Sequence, residues 1–263
     1  MTALFSASGL LAMQRLAAGH AVLAFDLDGT LAPITGHPQD ARVAPATAAR
    51  LHVLSQRWPV AVITGRSVAD ASTRLGFTPR YLYGNHGAEY AGALGGLGGR
   101  WLPESRRLQR QLEPCRQLWQ SQADQLHAQR IGLEDKGLSL ALHYRHATDP
   151  QRARRWLDHM LAPLATAGTG LHAAHGHLVL NITPAGAPDK GDALLAAMRH
   201  CGARRALVVG DDVNDECAFA KAPSGSVSVR IGTPQTPTLA QFRLSLQAQI
   251  DVLLGVLLGL LPK

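Results

Sequence analysis

Paired cysteines are missing from this chain. Its 263 residues hold Cys115, Cys201 and Cys217, an odd number with no C-x-x-C spacing, so no disulfide framework is expected and the thiols read as reduced ones in a cytoplasmic protein. A long apolar run is missing as well. The C-terminal "IDVLLGVLLGLL" is 12 residues long, and a membrane helix needs roughly 20, so this stretch reads as a last helix packed on the core. The N-terminal "MTALFSASGLLAMQRLAAGH" has no basic residue ahead of its apolar part, so no signal peptide is expected. Basic tracts are also lacking. The net charge of +7 suits an anionic partner. That partner could be nucleic acid, anionic lipid or a phosphorylated metabolite; with the arginines scattered along helical stretches and no nucleic-acid motif, nucleic acid is weakly supported, and neither it nor a membrane is the expected partner. The glycine run "GALGGLGG" (92–99) lacks the Lys-Ser/Thr of a phosphate-binding P-loop and reads as a hairpin tip or hinge.

What is present is an ordinary globular composition, 46% apolar against 17% charged, long enough for more than one domain. Short apolar runs alternate with helical spacing: "AVLAF", then "PATAARLHVLSQR", then "VAVIT", a helix from about Ser67, and "RYLYGN". The pattern returns late, with a helix after "PDKGDALLAAMRH", the strand "ALVVG", a helix around "NDECAFA" and the strand "VSVRI". Strand–helix alternation with apolar strands predicts a doubly wound parallel sheet. The middle differs. "ESRRLQRQLEPCRQLWQSQADQLHAQR" predicts a polar-faced helix bent or restarted at Pro114. Two hairpins, "GLEDKGLSLALHYRH" and "GLHAAHGHLVLNIT", flank a helix with Asp149 as its N-cap. The expected organisation is an α/β core of residues 1–100 and 184–263, with an α+β module inserted over 101–183.

The chemistry-bearing residues fall at strand ends. "AFDLDGTL" ends a strand in Asp26 and Asp28, one residue apart. An Asp-Gly turn explains this blandly. An EF-hand does not, because its sixth and twelfth positions hold Leu31 and His37. Residues i and i+2 project to similar sides, so the carboxylates converge and call for a hard cation such as Mg²⁺. Thr64 follows the second strand, and by itself reads as a turn residue or a donor to phosphate oxygens. Lys190 precedes a helix, where it is either solvated or a phosphate holder. "LVVGDDVNDE" crowds Asp211, Asp212 and Asp215 into five residues, a repulsion that a metal would relieve. His172, His175 and His177 have no acid or cysteine in their stretch and read as a solvated turn. His143 reads as a cap candidate, and His86 as either a substrate contact or a structural hydrogen bond.

In order, "DLDGTL", "TGR", "DKG" and "GDDVND" resemble the four motifs of phosphatases of the haloacid dehalogenase (HAD) superfamily, and the insert resembles its larger α+β cap, type C2B. Within that group the chain resembles the trehalose-6-phosphate phosphatase family through "DLDGTLAPI", "TGR", "GNHGAEY", "GLEDKGLSLALHYR", "PAGAPDKG" and "GDDVNDE", which span core and insert alike. The resemblance implies an aspartyl-phosphate mechanism: Asp26 as nucleophile, Asp28 as acid–base, Thr64 and Lys190 on the phosphoryl group. It implies Mg²⁺ on Asp26, the Asp28 main chain, Asp211 and Asp215. It implies a sugar phosphate held through Gly65, Arg66, His86, Glu134, Lys136, Arg145 and Asn181, by a chain acting as a monomer. The family usually has Glu at the place of Asn181 and Thr at the place of Asn214. A phosphatase of a related glycosyl phosphate (sucrose-, glucosylglycerol- or mannosylglycerate-type) and a catalytically silent regulatory protein on the same fold are the alternatives.

Overall fold

In the computed structural model, residues 2–92, 96–101, 105–166, 170–176, 178–233 and 237–260 are described. Contacts gather the chain into two compact units, Met1–Arg100 with Pro188–Lys263, and Trp101–Ala187. The second unit extends past residue 183 because β10 runs to Pro184 and the Ala185 amide donates to the Gly170 carbonyl at 2.5 Å, which keeps the following turn with its own hairpin.

The strands are β1 (Thr2–Ala3), β2 (Ala21–Phe25), β3 (Val60–Ile63), β4 (Tyr81–Gly84), β5 (Glu89–Gly92), β6 (Gly96–Trp101), β7 (Gly132–Asp135), β8 (Leu140–His143), β9 (Leu171–Gly176), β10 (Val179–Pro184), β11 (Arg205–Gly210), β12 (Val227–Ile231) and β13 (Phe242–Leu244). The helices are α1 (Ala7–Ala17), α2 (Pro45–Ser55), α3 (Val68–Ser72), α4 (Ser105–Ser121), α5 (Ala123–Ala128), α6 (Pro150–Thr166), α7 (Lys190–Cys201), α8 (Glu216–Lys221) and α9 (Ile250–Gly259). The core sheet runs in the order β1-β13-β12-β11-β2-β3-β4-β5-β6. It is parallel from β1 through β4, and β5 turns back antiparallel on β4.

Strand β2 is buried on both faces, and its alternation sorts the two cores. Leu23 and Phe25 join Val60, Val62, Leu207 and Val209 against Leu16, Leu51, Leu54 and Leu253 of α1, α2 and α9. Val22 and Ala24 join Ala61, Ile63, Ala206 and Val208 against Leu194, Met198 and Phe219 of α7 and α8. Each fully buried leucine contributes about 1.5–3 kcal/mol, so the strand ends that carry the site are held from both sides. Among the described residues no helix is long and apolar enough to cross a membrane.

In the second unit the sheet order is β7-β8-β10-β9, all antiparallel. One face carries Leu140, Leu142, Leu180 and Ile182, packed on Leu112, Cys115 and Trp119 of α4 and Leu157 of α6. Helix α4 runs through Pro114 rather than stopping there, and the break falls at Gln122, whose ψ of 14° leaves the helical region. The buried stripe Leu108, Leu112, Cys115 and Trp119 holds the helix across the hydrogen bond that proline cannot make. Asp149 caps α6 as the sequence predicts, its Oδ1 accepting from the Arg152 amide at 2.9 Å. The glycine run at 92–99 falls partly on residues 93–95, and His177 also lies outside the described residues.

Candidate active site

Asp26 directly follows β2, Thr64 follows β3 and Asp211 follows β11. The three strands are adjacent and parallel, so these residues gather at the carboxyl edge of the sheet, where open α/β sheets bind ligands. The Asp26 amide continues the ladder by donating to the Val209 carbonyl at 2.9 Å, which fixes its backbone beside that of Asp211.

Oxygens of Asp26, Asp211 and Asp215 lie within 4.8 Å of one another. Lys190, at the first turn of α7, is buried among them. Its Nζ lies 2.8 Å from Asp26 Oδ1 and 2.7 Å from Asp215 Oδ1. Asp189 caps the same helix through a capping box with Asp192, and Lys221 pairs with both acids, so the turn presenting Lys190 is held from outside. Burial disfavours the Lys190 ammonium, but the charges of Asp215 and Asp26 outweigh it and raise its pKa. Burial, with the charges of Asp215 and Asp28, pushes Asp26 up to about 7 despite Lys190. Burial and the charges of Asp26 and Asp215 raise Asp211 well above the usual carboxylate range. Crowded hard-oxygen donors under this strain fit a divalent cation, whose charge removes the cause.

Asp215 has a second task. Its Oδ2 accepts the amides of Asp211 and Asp212, each at 3.0 Å, and so shapes the acidic loop. Glycine is required at two approaches. Gly29, at φ +80°, has the Asp211 carboxylate where a Cβ would stand, and Gly210 has the Asp215 side chain there. Thr30 Oγ1 donates to Asp211 Oδ1 at 3.3 Å. Arg230, buried at the end of β12, donates to the carbonyls of Asp211 and Asp212 and to Glu216 Oε1 at 2.7 Å. Thr30 sits within the quoted "DLDGTL". The signal for Arg230 was a charge inside an otherwise apolar buried strand.

Asp28 stands apart from the cluster. Its Oδ2 accepts from Arg66 Nε at 2.7 Å and its Oδ1 from Arg66 Nη2 at 2.6 Å. Burial opposes the Arg66 charge, and the bonds and charge of Asp28 outweigh it, so its pKa rises. Thr64 is buried, with its Oγ1 accepting the Arg66 amide at 3.2 Å. The His86 ring lies over Gly65, so that a Cβ there would stand 2.5 Å from Cε1. Asn85 and His86 both adopt positive φ, 49° and 58°. Glu89 holds that turn, its Oε2 accepting from Asn85 Nδ2 and the Val68 amide, each at 2.8 Å.

In the second unit, register puts Glu134, Ala141, Asn181 and Ala174 in one row across β7, β8, β10 and β9. Directly paired residues share a face, as do those two along, so Glu134, Asn181 and His143 lie opposite the leucine face. His143 Nε2 is 2.9 Å from Glu134 Oε2, and Lys136 Nζ is 3.8 Å from the same oxygen. Arg145 follows β8, just beyond His143. His175 is not part of a solvated turn. It lies on the leucine face, its Nε2 2.7 Å from Asp158 Oδ1 on α6 and its Nδ1 3.1 Å from the Tyr144 hydroxyl. His172 pairs with Thr183 within β9 and β10.

A family model for trehalose-phosphatase matches residues 24–247. A probable trehalose-phosphate phosphatase of Sinorhizobium fredii is 34% identical over 220 residues, covering 81% of this chain and 78% of that protein. A trehalose-phosphate phosphatase of Mycolicibacterium paratuberculosis is 31% identical over 220 residues, covering 81% of this chain but 54% of that protein, so the chain spans about half the length of this second relative. The C-terminal domain of Candida albicans trehalose-6-phosphate phosphatase shares the fold, with a TM-score of 0.78 at 22% identity over 95% of this chain and 96% of that one. With motifs, strand-end geometry and these likenesses together, the chain belongs to the trehalose-phosphatase family.

Proposed function

We propose that the chain hydrolyses trehalose 6-phosphate to trehalose and phosphate through an aspartyl-phosphate. The observation that carries this is the meeting of Asp26, Asp211, Asp215 and Lys190 at the carboxyl ends of β2 and β11. An Asp26 oxygen attacks phosphorus. The phosphorus–oxygen bond to the sugar breaks, its electron pair passes to the sugar oxygen, and that oxygen takes the proton of Asp28. Asp28, now a carboxylate, takes a proton from water as the water oxygen attacks the phosphoryl-aspartate. The acyl oxygen–phosphorus bond opens and Asp26 is regenerated. Lys190 and Thr64 neutralise and orient the transferring group, and Lys190 also keeps the Asp26 carboxylate in place. Mg²⁺ would be held by Asp26, the Asp28 carbonyl, Asp211 and Asp215, and when bound would polarise the phosphoryl oxygens and offset the crowded negative charge.

Residues 101–187 form the sugar-recognising cap in this reading, using Glu134, Lys136, Arg145 and Asn181, while Gly65 and His86 serve on the core side; Arg66, expected to join them, is instead engaged by Asp28, Asp70 and the Pro38 carbonyl. That Glu134 and Asn181 share one row of the sheet supports the assignment. The chain works as a monomer in the cytoplasm. In support, the nucleophile, its lysine and the acidic cluster all come from one chain, and its cysteines are unpaired. The test is phosphate release from trehalose 6-phosphate against a panel of sugar phosphates. Asn181, where the family usually has Glu, favours one second reading, a phosphatase for a related glycosyl phosphate. Under that reading another ester in the panel has the higher kcat/KM.

A further inference from the structure

We propose that Arg66 is the positioning residue of the acid–base carboxylate: its guanidinium sets the plane and rotamer from which Asp28 passes its proton to the departing sugar oxygen. This rests on the phosphatase reading above. The sequence marked Arg66 as a substrate contact, yet its donors are spent inside the protein. Nε and Nη2 take the two oxygens of Asp28, Nη1 reaches Asp70 Oδ2 at 2.7 Å, and Nη2 also reaches the Pro38 carbonyl at 2.7 Å. A guanidinium has five N–H groups, and these four bonds leave little of it for a ligand. Burial agrees: the Arg66 side chain is 10% exposed and the Asp28 side chain 38%. The carboxylate faces outward on a buried cation.

The fork is itself braced. Arg74 holds both oxygens of Asp70 and donates to the Gln39 carbonyl at 2.6 Å. The Arg66 amide bonds Thr64 Oγ1, and its carbonyl accepts the Asn85 amide at 2.7 Å. A bidentate pair fixes orientation as well as distance, which a lysine cannot do. Each carboxylate oxygen has a further lone pair beyond the one the fork uses. The proton leaves Asp28 for the sugar oxygen as that oxygen takes the electron pair of the broken phosphorus–oxygen bond, and Arg66 gives up no proton.

The experiment compares leaving groups. An alkoxide such as that of trehalose needs a proton as it departs, whereas p-nitrophenolate does not. In single-turnover experiments Arg66→Lys should slow the release of trehalose from trehalose 6-phosphate roughly 10- to 100-fold, the scale set by misplaced general acids, while the burst of p-nitrophenolate from p-nitrophenyl phosphate slows far less; hydrolysis of the aspartyl-phosphate, which also uses Asp28, is common to both esters and does not enter this readout. Asp28→Asn should show the same selectivity in leaving-group release, though it slows the water step for both esters, and the double variant should release neither leaving group more slowly than Asp28→Asn alone, because Arg66 acts only through Asp28. Equal slowing of leaving-group release from the two esters, a raised KM for trehalose 6-phosphate at unchanged kcat, or additive slowing of release in the double variant would overturn the proposal. Should Arg66→Lys fail to fold by circular dichroism, Asp70→Asn, which removes the brace and keeps the fork, is expected to show the same selective loss, and a uniform loss or none contradicts it. A wild-type chain that hydrolyses neither ester instead overturns the phosphatase reading, a result distinct from loss of selectivity.

Discussion

Asp26 and Asp28 are neighbours in sequence and differ in every physical respect that matters. Asp26 is buried beside Lys190, whereas Asp28 is partly exposed on the Arg66 fork. In the proposed mechanism one strand end thus offers a nucleophile held against a lysine and, two residues on, a more exposed proton carrier. At this scale Asp70 gives a pH prediction. Burial works against its ionisation, but the bonds from Arg74 and Arg66 outweigh it, so its pKa is lowered. A depressed carboxylate contributes stability above the unfolded value of about 4 and loses it as pH falls through the lower folded value. Asp70→Asn should therefore destabilise the protein at pH 7 and cost progressively less as the pH is taken below about 4, which urea titrations at a series of pH values would read. Asp26, Asp211 and Lys190 were legible in the sequence because each ends a strand or starts a helix. The partner of Arg66 was not, since Asp28 lies 38 residues away and only the β2–β3 pairing brings the two together.

Among the elements, strand ends and turns set the chemistry. The loop after β2 bends back at Gly29, whose amide bonds the Ala32 carbonyl at 2.8 Å, and this bend leaves room for Asp211. Gly29→Ala should cost roughly 1–2 kcal/mol for the left-handed backbone alone and should also displace the Asp211 carboxylate. Chemical denaturation and a calorimetric Mg²⁺ titration would show both effects, and unchanged Mg²⁺ affinity would count against the crowding argument. On β10, Asn181→Glu puts a second carboxylate in the row of Glu134. If trehalose 6-phosphate is the substrate, that variant should keep or raise kcat/KM, with a gain of at most about 1–3 kcal/mol from one charged hydrogen bond. If both Asn181→Glu and Asn181→Ala leave every ester's kcat/KM unchanged, this position does not read the sugar. Helices α2 to α9, with α4 and α5 read as one, and strands β2 to β4 and β7 to β12 followed from apolar spacing and the turns around it, whereas α1 and the short or edge strands β1, β5, β6 and β13 did not. The tie of His175 to α6 did not, because facing direction depends on register, and one residue of slip reverses it. Nor did the passage of α4 through Pro114, because packing on the leucine face outweighs the local preference.

For the molecule as a whole, the doubly wound sheet explains why residues near positions 26, 64, 190 and 211 meet at all. The crossovers return each parallel strand to the same edge, so sites distant in sequence share one end of the sheet. Buried Asp26 and Asp215 with partly buried Asp211 crowd that end, a cluster that could bind a metal ion, and the proposed mechanism needs one there. Chelation should silence turnover and Mg²⁺ should restore it, and Mg²⁺ should also raise the melting temperature, since a ligand that binds only the folded state stabilises it. The net charge of +7 favours encounter with a dianionic ester, so kcat/KM should fall as salt is added. The most direct measurement is phosphate release from trehalose 6-phosphate by the wild type and Asp26→Asn, each with Mg²⁺ and after exhaustive chelation. The account predicts rapid release only by the wild type with Mg²⁺, and loss of nearly all turnover in a folded Asp26→Asn. Retention of more than a few per cent of activity by Asp26→Asn, or full wild-type activity without a divalent ion, would contradict it.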